Sequence, residues 1–219
     1  MKVSTKYGEV HITDKHLGKM AGIQSISTSC LLNPICKARH ENGVGVCKHC
    51  FSCRYQEYRP SLYQTLAENY RILNEHLLTR GEAARCVFYT ILGRIEAFGD
   101  VATVTCARNY IRIMRSNNLT KFGIWTKNPE IWKEAIELEG GRKPKNASFV
   151  LSSLELNQPL DEEEVAKKYP FIDHIFTVYT KEFQSKHNIN IICGGRNCSE
   201  CKKCYRPSRS IDHITELLK

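Results

Sequence analysis

Nine of the eleven cysteines fall in two short runs whose spacing is that of metal ligands. The C-terminal run is Cys193-x4-Cys198-x2-Cys201-x2-Cys204, with Gly194 and Gly195 supplying turn freedom. Repeated C-x2-C steps on one loop let successive thiolates fold around a compact object. A single Zn2+ usually takes paired knuckles separated by a longer span, whereas ferredoxin-type loops carry C-x2-C-x2-C. The spacing therefore leans towards a [4Fe–4S] cluster, with Zn2+ as the alternative. The N-terminal run is Cys30-x5-Cys36-x10-Cys47-x2-Cys50-x2-Cys53, with His40 and His49 as possible substitutes. Five thiols are one more than a tetrahedral or cubane site needs. Either one is free, or three hold a cluster and leave an iron open to substrate. His49 reads as solvent-facing, and Cys86 and Cys106, in a strand and a helix, read as small buried apolar residues.

Compartment favours ligation over disulfides. The N-terminal sequence MKVSTKYGEVHITDKH has no apolar signal-peptide core, and no apolar run is long enough to span a membrane. The expected location is the cytoplasm, where thiols stay reduced. Charge needs the same correction. Lys and Arg exceed Asp and Glu to give +9. Two four-thiolate sites, each of about −2, would lower this to about +5. Lys37, Arg39, Lys48, Arg54, Arg196, Lys202, Lys203, Arg206 and Arg209 sit among the cysteines. They can neutralise thiolates or hold a phosphate-bearing partner.

The elements that must position these groups read as βα units. Residues 1–29 show no clear period, and residues 30–53 read as loop. Ser61 and Gln64 look like a capping box after Pro60, opening a helix with Leu62, Leu66, Tyr70, Leu73 and Leu77 on one face and ending at Gly81. Strand composition follows at Val87–Glu96, Lys121–Thr126, Ala147–Ser152, His174–Tyr179 and Ile189–Cys193. The intervening helices are expected from Asp100 to about Arg115, from Asn128-Pro129 to about Leu138, over DEEEVAKK, and briefly after Tyr179. This alternation predicts an α/β fold: a partial βα barrel, or a short open parallel sheet of about five strands, flanked by N- and C-terminal cysteine-rich loops. One domain over 1–219 is expected, with a leader and cysteine loop (1–60), a βα core (61–192) and a cysteine module (193–219).

Sites in parallel α/β proteins form at the carboxyl ends of the strands. Those positions are Gly99-Asp100, Thr126-Lys127, Ser152-Ser153, Thr180-Lys181 and Cys193-Gly194-Gly195. Asp100, Lys127 and Lys181 are the candidate catalytic residues. Gly99, Asp100, Thr126, Ser152 and Thr180 are candidates to bind a small anionic cofactor or substrate.

Cys30, the Cys47-x2-Cys50-Phe51 step, Asn69, Gly99-Asp100, the two Thr-Lys pairs and the terminal four-cysteine run resemble the "gene 88" proteins of phages and mobile bacterial elements. The resemblance runs from about residue 18 to 206 and implies a phage- or mobile-element-encoded protein working in a bacterial host, of a family with no settled activity. Cys36 and Cys53 look like additions to its pattern. In the order of its parts the chain is also similar to radical S-adenosylmethionine enzymes, in which three cysteines hold a [4Fe–4S] cluster whose open iron binds the cofactor. Cys47-x2-Cys50-x2-Cys53 is one residue short of that family's C-x3-C-x2-C. The expected function is thus an iron–sulfur protein, with a redox or radical enzyme as the catalytic form and S-adenosylmethionine as the implied cofactor. A zinc-stabilised module binding nucleic acid or a host protein is the alternative.

Overall fold

The computed structural model describes residues 1–14, 16–208 and 210–218; Arg209 lies outside the described residues. The chain opens with an antiparallel hairpin, β1 (Lys2–Thr5) and β2 (Gly8–His11). A second sheet begins with β3 (Gln24–Ile26). The first cysteine run then folds as α1 (Pro34–Glu41), a 3-10 turn over Gly45–His49 and α2 (Phe51–Tyr58). Two helices, α3 (Pro60–Glu75) and α4 (Arg80–Arg85), lead into β4 (Leu92–Ile95). Strict alternation follows: α5 (Val104–Ser116), β5 (Lys121–Thr126), α6 (Pro129–Leu138), β6 (Ala147–Ser152), α7 (Glu162–Lys168), β7 (His174–Tyr179) and α8 (Lys181–His187). The second cysteine run forms α9 (Cys198–Cys201) and a 3-10 turn over Lys203–Tyr205, before β8 (Asp212–Leu217) completes the sheet.

The six strands are all parallel and lie in chain order, β3-β4-β5-β6-β7-β8. Right-handed crossovers between sequential parallel strands put every crossover helix on the same face. Side-chain alternation then divides the sheet into two cores. On one face Ile95, Phe122, Ile124, Phe149 and Ile175 pack in a single cluster with Tyr110, Ile111, Trp132 and Val165 of the helices. Trp132 is fully buried there, edge-on to Phe149 at 5.1 Å. Truncating such a ring costs about 3–5 kcal/mol. On the other face, Leu92, Trp125, Val150, Phe176 and Ile214 are covered by Cys193, Cys198, Cys204 and Tyr205 of the second cysteine run. One face of the sheet is therefore sealed by helices and the other by a cysteine module.

Several expectations need correcting. The sheet has six strands, because β3 lies in the segment read as leader and β8 in the segment read as cysteine module. Residues 189–193 are not a strand; they run beside β8, where the Thr215 hydroxyl accepts from Ile192 N and its carbonyl from Cys193 N, without a ladder. Strand β4 covers only Leu92–Ile95 of the Val87–Glu96 stretch, and Cys86 closes α4 and is not in a strand. Residues 30–53, read as loop, carry two helices. Pro60 opens α3 with Arg59 as its cap, so Ser61 lies inside the helix and makes no capping box. The capping box belongs to Thr79 and Glu82, which start α4, so Gly81 lies inside that helix and ends none. Asp100 does not cap α5; Thr103 does, by accepting from Cys106 N. Cys86 and Cys106 are fully buried, as expected.

Candidate functional site

The first cysteine run lies across the carboxyl ends of the strands. Cys30 comes four residues after the end of β3, so the loop starts at that end of the sheet. Asn33 caps α1, accepting from Ile35 N and Cys36 N, while its amide donates to the Asp100 carbonyl at 2.8 Å. On the far side, Val46 N donates to the Leu154 carbonyl, just past β6, at 2.8 Å. Gly45 is necessary here: it has φ +44°, and a Cβ would come within 2.0 Å of that carbonyl oxygen. The loop is therefore fastened beyond β4 by Asn33 and beyond β6 by Val46, and spans what lies between.

Its thiols gather under α2. Cys53 Sγ donates to Cys30 Sγ at 3.3 Å, and Gln56, one helical turn beyond Cys53, donates to Cys30 Sγ at 2.9 Å. Hydrogen bonds from Cys30 and Cys53 pull the Cys50 thiol's pKa down. Burial pushes the Cys36 thiol up, helped by the negative charges of Asp100 and Glu96. Burial also raises Cys47, against the pull of Lys127. All five N-terminal cysteines thus sense one another or the acids and lysine of the neighbouring strand ends.

Asp100 is at the centre of those strand ends. One carboxylate oxygen accepts from Val101 N at 2.8 Å and from the Thr126 hydroxyl at 2.9 Å, and the other from Lys127 N at 2.6 Å. The side chain is buried, which raises its pKa, and its hydrogen bonds oppose the shift. Its carboxylate therefore fastens the β4 loop to the β5 loop. Lys127 and Ser152 line a cavity of about 270 Å³ together with Leu154 and Asp161. Thr180 and Lys181 do not join this group. They stand at the end of β7, with β5 and β6 between them and the strand of Asp100. Thr180 caps α8 through Phe183 N, and Lys181 is exposed. His40 is held by the Cys47 carbonyl, and His49 is exposed, as expected.

Sequence reasoning missed Glu96, the residue immediately after β4. It is 2 % exposed and has φ +54°. Its carboxylate accepts from Thr28 N, the Thr28 hydroxyl and the Tyr110 hydroxyl, the last at 2.6 Å. Burial raises its pKa to about 7 despite these bonds. Gly99 lets the loop pass close, since a Cβ there would stand 3.0 Å from the Glu96 carboxylate. The available signal was a lone acid ending a β-rich run, two residues before the Phe-Gly-Asp turn. Gln56 was also missed, although its i+3 spacing from Cys53 put both on one helix face.

The second cysteine run has a different setting. Cys193 is anchored to β8 through its backbone, and Lys19 Nζ lies 3.5 Å from its sulfur and 2.6 Å from Glu216. Cys198 and Cys204 pack around Tyr205, over Leu92, Trp125 and Val150. Beneath them Arg94 projects from β4, its guanidinium 3.1 Å over the Trp125 ring. Arg94 Nε and the Tyr205 hydroxyl are both buried without a protein group in hydrogen-bond geometry. Burial disfavours the Arg94 charge, and the strongest opposing influences are Tyr205, Cys204 and Cys198. Arg196, Lys203 and Arg206, with Cys201, line an adjoining cavity of about 640 Å³.

Both donor sets suit a thiolate-bound metal in chemistry. Among the described residues, no three His, Cys, Asp or Glu side chains stand in an arrangement that clasps an ion. The 3.3 Å between Cys30 and Cys53 is a thiol–thiol hydrogen bond. Tetrahedral ligands with metal–sulfur bonds of about 2.3 Å would sit about 3.8 Å apart. Beside the second run, burial raises the Cys198 and Cys204 thiols, the latter to about 12, and the Arg94 charge opposes the shift in both. Donors to ligating sulfurs are what a metal–thiolate site requires of its surroundings.

The sequence profile of gene product 88 matches residues 10–215. The chain belongs to this family. The match includes both cysteine runs, all six strands of the large sheet down to Thr215 of β8, and every strand-end residue described above. Comparison with curated proteins and with solved structures found no match. The family membership agrees with the resemblance carried by Cys30, Cys47, Cys50, Asn69 and the terminal cysteines. The role of Asn69 is structural. Buried on α3, it bonds both backbone groups of His11 and the carbonyl of Ser27, clamping the hairpin to the loop that carries Cys30.

Proposed function

We propose that this gene product 88 protein is an iron–sulfur protein with two metal–thiolate sites of unequal role. The N-terminal site, built from Cys30, Cys50 and Cys53 with Cys36 or Cys47, is the reactive one. The C-terminal site, built from Cys193, Cys198, Cys201 and Cys204, is auxiliary. The observation that carries this reading is the fastening of the first cysteine loop across the carboxyl ends of β3 to β6. A loop tied down only for stability has no need to cover the place where α/β proteins bind substrates.

An iron–sulfur cluster there would supply one-electron chemistry. The chain's own residues supply the rest. Gln56 and the backbone around Cys30 orient the thiols, and Asp100 holds the β4 and β5 loops in register. Lys127, at the adjoining cavity, offers a cation to a carboxylate or phosphate. Glu96 offers a buried acid that changes protonation near neutrality. A cysteine loop after the first strand of the large sheet, parallel strands in chain order and a terminal cysteine module support the radical S-adenosylmethionine form of this reading.

The deciding experiment is metal and acid-labile sulfide content, with a visible spectrum, on protein purified without air. About eight irons per chain and a broad band near 400 nm (roughly where thiolate-to-iron charge transfer falls) are expected. A colourless protein with about two Zn2+ ions would sink the redox reading and favour a zinc-stabilised binding module. Equilibrium dialysis with S-adenosylmethionine decides the radical form, since absence of binding to the iron-loaded protein removes it.

A further inference from the structure

Helix α2 has two faces of opposite character. Ser52, Cys53 and Gln56 point inward onto the thiols. Phe51, Tyr55 and Tyr58 recur at helical spacing on the outside, 53 %, 44 % and 82 % exposed. Isolated exposed apolar residues are ordinary; three aromatic rings on one short helix are not. The rings are also organised. Phe51 meets Tyr55 edge-on at 6.1 Å and Phe98 of the β4 loop at 6.0 Å, and His16 stacks on Phe98 at 6.2 Å. The Arg59 guanidinium lies 4.6 Å over the Tyr55 ring.

Cations flank this row. Arg54 and Arg59 lie on or next to the helix, and Lys48 precedes it, all three exposed, against Glu57 as the acid of the same helix. Protein–protein interface cores share the aromatics and arginines but are depleted of lysine, and here Lys48 joins two arginines against one acid. Aromatic faces alternating with cations suit a flexible polyanion that carries flat rings of its own. Unpaired bases stack on the rings, and phosphates meet the guanidinium and ammonium groups. A duplex keeps its bases stacked internally and offers the rings nothing.

We infer that the outer face of α2 is a docking ridge for single-stranded nucleic acid, which brings a nucleotide to the strand-end mouth beneath it. This rests on the reading of that mouth as the reactive site, and it names the substrate class as a polynucleotide.

The experiment is fluorescence anisotropy of the full-length, metal-loaded protein with a labelled twelve-nucleotide single-stranded RNA, the DNA of the same sequence, and the corresponding duplex. Both single strands are expected to bind more tightly than the duplex, and the 2′-hydroxyl comparison identifies which sugar is native. Phe51→Ala and Tyr55→Ala should each weaken binding about 5- to 150-fold, from a stacking contribution of about 1–3 kcal/mol per base. Tyr55→Phe should bind as the parent does. Arg54→Gln with Arg59→Gln should lower the slope of log affinity against log salt by about 1.4, at about 0.7 per phosphate contact. Tyr89→Ala, removing a more exposed ring elsewhere (76 %), is the control and should change nothing. Equal affinity for duplex and single strand, or unchanged affinity in Phe51→Ala and Tyr55→Ala, would overturn the inference, as would no binding at low salt. Metal content is read on the same samples. A full metal complement without binding overturns the ridge alone, and binding without iron overturns the redox reading alone.

Discussion

The two cysteine runs occupy opposite environments of one sheet. The first crosses the strand ends, where Glu96, Asp100 and Lys127 lie within its electrostatic reach. The second is pressed onto a sheet face, over a buried arginine and an indole ring. Around the first run, the neighbouring carboxylates accept several hydrogen bonds each. Around the second, Arg94 Nε and the Tyr205 hydroxyl lack acceptors. Burial raises thiol pKa values in both runs, that of Cys204 to about 12 against the opposing pull of Arg94, while hydrogen bonds from its neighbours lower that of Cys50 in the first. The comparison teaches that similar C-x2-C spacing can be set in different surroundings: a buried arginine and indole at the second run, hydrogen-bonded acids at the first.

Four changes would break or sharpen that contrast. The largest effect is expected from Gly45→Val. It adds a side chain at positive φ and drives a Cβ into the Leu154 carbonyl, so the loop must release. Thiol labelling should then reach Cys36 and Cys47 rapidly while Cys198 and Cys204 stay protected; equal labelling of both runs would show that they are not independent. Glu96→Gln comes next. The Glu96 pKa of about 7 lies above its ordinary 4.5, so the folded protein holds the extra proton between those values. Its contribution to stability is full below about pH 4.5 and is lost as pH rises through 7, a total of roughly 3 kcal/mol at about 1.36 kcal/mol per unit. Chemical denaturation at pH 5 and pH 8 should show this slope in the parent and a flatter one in the variant.

Arg94→Gln should leave the first site unchanged and weaken metal retention by the second about 10- to 100-fold, the usual cost of an outer-shell partner. Competition with a chelator, followed by mapping of the freed cysteines, measures it. Loss of metal from the first site in place of the second would reverse the assignment of Arg94. The smallest effect belongs to Lys19→Met, a half-buried lysine shared between Cys193 and Glu216. A few-fold loss at the second site is expected in the same assay, and none at the first.

How much was legible varied with where the information resides. Lys121–Thr126, Ala147–Ser152 and His174–Tyr179 were readable to the residue, because buried parallel strands are short apolar runs bounded by turns and caps. Strand β3 is three residues long and mostly polar, and only its neighbours make it a strand: β4 on one side and the Thr13–Ser25 bridge on the other. The stretch Ile189–Cys193 has better strand composition than Asp212–Leu217. The latter won the β7 edge because its register pairs six residues, from His174–Asp212 to Tyr179–Leu217. At the site, the grouping of the cysteines is written in their spacing. The fastening role of Asp100 is not, because its partners Thr126 and Lys127 arrive from the next strand. Arg94 was invisible for a similar reason: an arginine inside a strand means little until the cysteine module is folded over it.

The bond between Val46 N and the Leu154 carbonyl also sets a timetable. Translation delivers Cys30 to Cys53 long before β6 emerges, so the first run is made without its cover. Until Leu154 leaves the ribosome, that bond cannot form and the thiols stand uncovered; afterwards the entrance narrows. The second run is synthesised after β3 to β7 of the face it lies on, with only β8 still to come. On the proposed reading, a cofactor would reach the mouth most easily during translation, before β6 covers the first run.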